Sequence, residues 1–142
     1  MDITQISVFL ENRKGRLHEL CSLLGENSIN IMALTIAETE TFGVLRMVVN
    51  KPEEALVLLK ESGFTARRTR VLAVEVGNDP GSLARIVGIF DKNDANVEYM
   101  YAFAHTITDK ALLVFKIEDF EHGKQILLDN GVNLIRMKDL NP

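Results

Sequence analysis

The chain has 142 residues, 46% of them hydrophobic and 25% charged, with a formal net charge of −4. That acidic balance argues against broad nucleic-acid binding, which depends on Lys and Arg neutralising phosphates. No apolar run approaches the ~20 residues needed to span a bilayer, no signal-peptide pattern opens the chain, and one cysteine cannot make an internal disulfide, so the expected setting is cytoplasmic.

Ile6-Ser7-Val8-Phe9-Leu10 places aliphatic residues at every second position, the period of a strand. A polar loop runs from Glu11 to Gly15. From Leu17 the apolar positions take helical spacing, at Leu17, Leu20, Cys21 and Leu24, and Asn27-Ser28 ends the helix. Asn30 to Glu38 reads as a strand, Thr39 to Gly43 as a turn and Val44 to Asn50 as another strand. Pro52 suits a first helical position, and Glu53 and Glu54 suit the positive end of a helix dipole. That helix runs to Gly63, and a strand at Phe64 to Arg68 closes the unit. The same order then recurs. A strand at Val71 to Val76 precedes a helix from Ser82 to about Lys92. Strands at Asn96 to Ala104 and Lys110 to Ile117 follow, then a helix from Asp119 to near Asn130 and a strand at Val132 to Met137.

The order β-α-β-β-α-β is the split βαβ, or ferredoxin-like, arrangement. The expected fold class is therefore α+β: two modules, residues 1–70 and 71–142, with antiparallel sheets, helices on one face, packed side by side. Internal similarity supports two copies. Asn12-Arg13-Lys14-Gly15-Arg16-Leu17 returns 66 residues later as Asn78-Asp79-Pro80-Gly81-Ser82-Leu83. At the same offset Leu20, Cys21 and Leu24 match Ile86, Val87 and Phe90, Asn27 matches Asn93, and Asn30-Ile31 matches Asn96-Val97. Gly63 matches Gly131 at an offset of 68, which a two-residue insertion before the last helix explains. A module of about 70 residues holds a marginal core by itself, so shared packing between copies, and a homodimer or other homo-oligomer, is expected. The interface between copies is the first place to seek function.

The middle strands support burial on both faces. Met32, Leu34 and Ile36 alternate with Ile31, Ala33 and Ala37. Val97, Tyr99, Tyr101 and Phe103 alternate with Met100, Ala102 and Ala104. Both sets are apolar, which is expected where the face away from the helices is also covered.

The loop Asn78 to Ser82 joins a strand end to a helix start. Pro80 fixes a backbone angle and Gly81 lets the main chain approach a ligand closely. The first helical N–H groups have no partner within the helix and form an anion site. An acid acceptor, Asp79, beside free donors suits an amino acid; the alternative for one such loop is an ordinary capped turn. Asn30 and Asn96 read either as turn residues or as amides offering donor and acceptor. The basic clusters Arg13, Lys14, Arg16 and Arg67, Arg68, Arg70 read as solvated faces or as a patch for a carboxylate or acidic partner.

Catalytic patterns are sparse. His18 and Cys21 are three apart on a helix, a possible nucleophile pair, yet Cys21 shares the stripe of Leu17, Leu20 and Leu24 and reads as a structural thiol. His105 and His122 are isolated, no spacing fits zinc, and no glycine-rich phosphate loop appears. Tyr99, Tyr101 and Phe103 lack the basic surroundings of an RNA-binding sheet. No enzyme activity, cofactor or metal is expected.

The strand, the loop Asp-Pro-Gly-Ser-Leu, the apolar helix, and Asn-Val or Asn-Ile opening the next strand resemble the ACT domain, twice over nearly the whole chain. The resemblance implies a small-molecule sensor, most often for amino acids, with ligand held at the interface of two ACT units. Carried over, the binding candidates are Asn78, Asp79, Pro80, Gly81, Ser82, Leu83, Asn96 and Val97. The first copy offers Asn12, Arg13, Lys14, Gly15, Arg16, Leu17, Asn30 and Ile31. It departs from the pattern with Arg13-Lys14 in place of Asp-Pro, which implies an asymmetric pair of sites. The implied partners are an amino acid or related metabolite and an enzyme of amino-acid metabolism. Neither nucleic acid nor membrane is among them. The other reading is a regulatory subunit that mainly contacts such an enzyme, with weak or absent ligand binding.

Overall fold

The computed structural model describes residues 2–38, 41–104 and 109–140; His105 and part of the expected 39–43 turn lie outside them. In chain order the elements are β1 (Ile3–Glu11), α1 (Arg16–Glu26), β2 (Ile31–Glu38), β3 (Phe42–Val49), α2 (Pro52–Glu61), β4 (Thr65–Val76), α3 (Ser82–Lys92), β5 (Val97–Ala102), β6 (Ala111–Ile117), α4 (Phe120–Asp129), β7 (Leu134–Ile135) and α5 (Met137–Leu140). The β-α-β-β-α-β order is present twice. The chain divides into an N-terminal unit, Thr4–Thr69, and a C-terminal unit, Arg70–Pro142 with Met1–Ile3.

In the N-terminal unit the strand order is β2-β3-β1-β4, and β3 pairs antiparallel with both β1 and β2. Ile6, Val8 and Leu10 point from β1 to one face, because strand side chains alternate. There they meet Leu20 and Leu24 of α1, Leu45, Met47 and Val49 of β3, and Ala55, Leu56 and Leu59 of α2 in one buried cluster. Both helices therefore cover the same face. On the other face Gln5 and Ser7 are also buried, and the Gln5 amide donates to the Ser7 hydroxyl at 3.0 Å. A buried amide is tolerated when it is hydrogen-bonded.

The C-terminal unit repeats the order as β5-β6-β4, with β7 on the other side of β4. Its core joins Leu72, Val74 and Val76 of β4, Ile86 and Phe90 of α3, Phe115 and Ile117 of β6, and Leu127 of α4. The Phe90 and Phe115 rings sit 5.3 Å apart at 54°, a tilted pairing that aromatic quadrupoles favour.

The two copies agree down to single hydrogen bonds. The Asn27 amide donates to the Leu23 carbonyl at 2.8 Å, and the Asn93 amide to the Ile89 carbonyl at 2.8 Å. The Asn50 N–H reaches the Asn30 carbonyl at 3.1 Å, and the Glu118 N–H the Asn96 carbonyl at 3.1 Å. Ala37 pairs with Val44, and the Phe103 N–H bonds the Leu112 carbonyl. The two extra residues of the second copy thus lie between Phe103 and Leu112.

Several expectations need correction. The strands expected at Phe64 to Arg68 and Val71 to Val76 are one twelve-residue strand, β4. The strand expected at Val132 to Met137 is only Leu134–Ile135, and a short helix, α5, follows. Phe42 and Gly43, expected in a turn, begin β3. The face assignments also change. A register irregularity between Ile31 and Ala33 puts Ile31, not Met32, on the side of Leu34 and Ile36, opposite Val49, Met47 and Leu45. The same irregularity between Val97 and Tyr99 puts Val97 with Met100 and Ala102. One extra residue in a strand reverses every side chain beyond it. Leu34 and Ile36 remain 42% and 44% exposed, so burial of both faces of β2 stops short of its far end.

Candidate functional site

The two loops that precede α1 and α3 have one backbone design. Gly15 and Gly81 occupy left-handed geometry, with φ of 91° and 90°. A side chain there would be strained, because Cβ crowds the following carbonyl. In the first loop the Arg16 N–H bonds the Arg13 carbonyl at 3.4 Å and the Glu19 N–H the Gly15 carbonyl at 3.0 Å. In the second the Ser82 N–H bonds the Asp79 carbonyl at 3.1 Å and the Arg85 N–H the Gly81 carbonyl at 3.1 Å. Neither helix has a side-chain cap at this glycine. The next two amides, at Leu83 and Ala84 in α3, have no carbonyl one turn back within the helix.

Side chains make the loops different. In the second loop the backbone before Asn78 is Gly77. A Cβ placed there would lie 3.0 Å from the Ser82 hydroxyl oxygen and 3.7 Å from a carboxylate oxygen of Asp79. The hydroxyl and the carboxylate therefore converge over bare main chain at the start of α3, with Asn78, Asp79, Pro80 and Gly81 exposed. The matching position in the first copy is Glu11. Arg13 Nε lies 3.1 Å from the Glu11 carboxylate, Arg16 lies 3.6 Å from it, and Arg16 also pairs with Glu19 at 2.8 Å. The Arg16 guanidinium stacks 3.9 Å over the Phe64 ring, and its Nε is buried without a hydrogen-bond partner among the described residues. A small cavity of about 180 Å³ beside this network is lined by Leu10, Arg13, Arg16, Leu17 and Ile36 among others. Of the cluster Arg13, Lys14 and Arg16, read as a solvated face or a receiving patch, the two arginines are thus paired with Glu11 and Glu19, and Lys14 is exposed. Leu17 and Leu83 hold the same place at 42% exposure each.

Asn96 and Val97 are not beside Asn78 to Leu83. They follow the far end of α3, and eleven helical residues at about 1.5 Å each put roughly 16 Å between the two groups. Asn30 and Ile31 are separated from Asn12 to Leu17 by α1 in the same way. Asn96 lines a cavity of about 450 Å³ with Asp91, Asp94, Glu118, Asp119 and His122, an acidic surround that the sequence reading missed because the link from β6 to α4 supplies half of its carboxylates. The His122 ring bonds the Asn93 carbonyl at 2.9 Å. Asn30 is tied down, its N–H donating to the Asn50 side-chain oxygen at 2.8 Å.

The His18–Cys21 pairing does not form. His18 Nε2 lies 3.3 Å from the Ser22 hydroxyl, while Cys21 packs against the N-terminal core. Burial raises the Cys21 pKa above its ordinary 9.0, which keeps a thiol in place of the nucleophilic thiolate. Reaction of Cys21 with a disulfide reagent at pH 8 is expected to be slower in the folded chain than in the urea-unfolded chain. Equal rates would remove the burial argument. The sign for stability follows: the folded pKa is the higher one, so this contribution is complete below pH 9.0 and declines as pH rises past it.

Among the described residues no group of three or more His, Cys, Asp and Glu side chains is arranged to hold a metal ion. Among them, too, no helix is long and apolar enough to cross a membrane.

Comparison with known proteins agrees with the fold. The sequence matches the ACT domain pair family over residues 1–142. The crystal structure of a Bacteroides thetaiotaomicron protein is similar at TM-score 0.91 and 36% identity, covering 99% of this chain and 96% of that one. The ligand-free regulatory subunit of aspartate kinase from Thermus thermophilus matches at TM-score 0.65 and 19% identity, covering 92% of each chain. Its counterpart from Thermus flavus matches at TM-score 0.60 and 18% identity, over 91% of this chain and 92% of that one. These last two likenesses are of fold. No curated protein matches in sequence. The chain belongs to the family of ACT domain pairs.

Proposed function

We propose that this protein is a regulatory protein that binds an amino acid or a closely related metabolite at the loop between β4 and α3. The observation that carries this reading is the convergence of the Asp79 carboxylate and the Ser82 hydroxyl over Gly77 at the start of α3. Asp79 accepts from an ammonium group, and the opening amides of α3 donate to a carboxylate. Family membership supports the reading, as does the likeness of fold to aspartate kinase regulatory subunits. A ligand that also reaches Asn96 must take it from a second chain, because within one unit α3 separates the two. Binding then acts on self-association or on a partner enzyme of amino-acid metabolism, and the chain itself performs no catalysis.

The first copy's loop carries a second reading. Its Glu11, Arg13, Arg16 and Glu19 pair with one another, which favours a structural or partner-contacting role for that half. A thermal-shift screen of the purified protein against the twenty amino acids separates the two. Ligand at ~100 times its dissociation constant adds about 2.7 kcal/mol. That shift is expected for a narrow set of amino acids and is expected to vanish in Asp79→Ala and in Gly81→Val. No shift with any amino acid would transfer the proposal to the partner-contacting subunit, which a pull-down would test.

A further inference from the structure

A second cavity in the C-terminal unit, of about 560 Å³, is lined by none of the loop residues, nor by Asn96 or Val97. It lies beside the short strand β7. β7 pairs with β4 only at Ala73 with Ile135 and Val74 with Leu134, and Val71 and Leu72, just before those pairs, line the cavity. From α4, Lys124 and Leu128 stand one turn apart on one helix face and both line it. The volume falls within the range of roughly 300–1,000 Å³ typical of small-molecule sites.

Its chemistry is mixed and polarised. Leu128 is 49% exposed there, a large apolar side chain that water contacts at a cavity mouth. Val132 and Leu134 supply further apolar wall. Of the described charged residues that line it, Lys124 and Arg136 are cations and Asp2 is a carboxylate, a balance of +1 among them in a chain of net charge −4. Lys124 Nζ already meets Asp2 at 2.8 Å, so an incoming ammonium group must share with Lys124 the one carboxylate among the described lining residues. The Arg136 guanidinium lies 3.9 Å from Asp139, beyond hydrogen-bond distance, and its planar fork suits a carboxylate.

We propose that this cavity binds a small carboxylate with a compact apolar tail and no ammonium group. The carboxylate sits on Arg136 and Lys124, and the tail covers Leu128, Val132 and Leu134. The site is separate from the amino-acid loop and does not depend on that reading. Occupancy adds packing to β7, a strand otherwise held by two residue pairs.

The test is calorimetric titration of the full chain with 4-methylpentanoate, its neutral amide and leucine. The carboxylate is expected to bind, with the amide and leucine at least about tenfold weaker, the size of one lost charge-assisted hydrogen bond. Arg136→Met is expected to weaken 4-methylpentanoate about tenfold and Leu128→Trp to abolish its binding by filling the mouth, while Asp79→Ala leaves it unchanged. Circular dichroism checks the fold of each variant, and Arg136→Met decides the matter if Leu128→Trp does not fold. No heat with 4-methylpentanoate in the millimolar range would overturn the proposal. So would binding unaltered by Arg136→Met, or a Leu128→Trp variant that changes oligomeric mass by light scattering and leaves binding intact, since a second copy would then be the occupant. Loss of the amino-acid response in Asp79→Ala with 4-methylpentanoate binding kept would show the two sites failing independently.

Discussion

Phe115→Ala is expected to cost the C-terminal unit about 3–5 kcal/mol of unfolding free energy, the range for removing a fully buried aromatic ring. Phe115 is 0% exposed on β6 and meets Phe90 of α3, itself 1% exposed, at a ring separation of 5.3 Å. The loss combines transfer of the ring, the cavity left behind and the ring–ring term of about 0.5–1.5 kcal/mol. The first copy carries Met47 and Leu24 at the matching places, both buried. Replacing the pair with Phe90→Leu and Phe115→Met together should therefore cost less than the sum of the single changes, since the first unit packs with that pair. Urea unfolding followed by far-UV circular dichroism measures Phe115→Ala, the two single changes and the double variant. A loss under 1 kcal/mol for Phe115→Ala would mean that this core is not packed as described.

Gly123→Ala is expected to destabilise by about 1–3 kcal/mol, opposite in sign to the usual gain of up to about 1 kcal/mol when alanine replaces a helix-interior glycine. Gly123 is buried in α4, and a Cβ there would lie 2.9 Å from Ile117 Cγ2 and 3.1 Å from its Cβ and Cγ1. That spacing leaves no room for a methyl unless β6 or α4 moves. The first copy solves the same contact differently, with Ala55 on α2 and Val49 on β3, both 0% exposed. The larger helix residue is matched there with the smaller strand residue. Adding Ile117→Val to Gly123→Ala should thus recover at least half of the loss. Thermal unfolding of the single and double variants reads this directly, and a stabilised Gly123→Ala single variant would show that α4 does not press on β6 at this point.

Much of the fold is local and therefore visible along the chain. Period-two aliphatics, helical apolar stripes, and Gly15 and Gly81 at helix starts each depend on neighbours within a few residues. The repeat offset turned those fragments into two copies of one order, and the hydrogen bonds of Asn27 and Asn93 show the copies matching in detail. The loops as candidate ligand elements were legible for the same reason. The sequence also marked their inequality, since Arg13-Lys14 replaces Asp79-Pro80.

What escaped the sequence depends on partners distant along the chain. Thr69 and Arg70 look like a break between strands, yet pairing with neighbouring strands carries β4 through them. The irregularities at the starts of β2 and β5 are set by register against β3 and β6, so alternation alone assigned their faces wrongly. Val132 to Met137 has strand composition, but β4 supplies partners to only two of its residues and the chain turns into α5. Asn96 shares a motif with the β4–α3 loop and stands an entire helix away from it. The acidic surround of Asn96, the Glu11–Arg13–Arg16–Glu19 network and the notch that keeps position 123 a glycine are likewise tertiary decisions. Local propensity chooses the elements and marks their glycines. Side-chain volume and strand register, which act only when the chain is folded, decide what those elements place together.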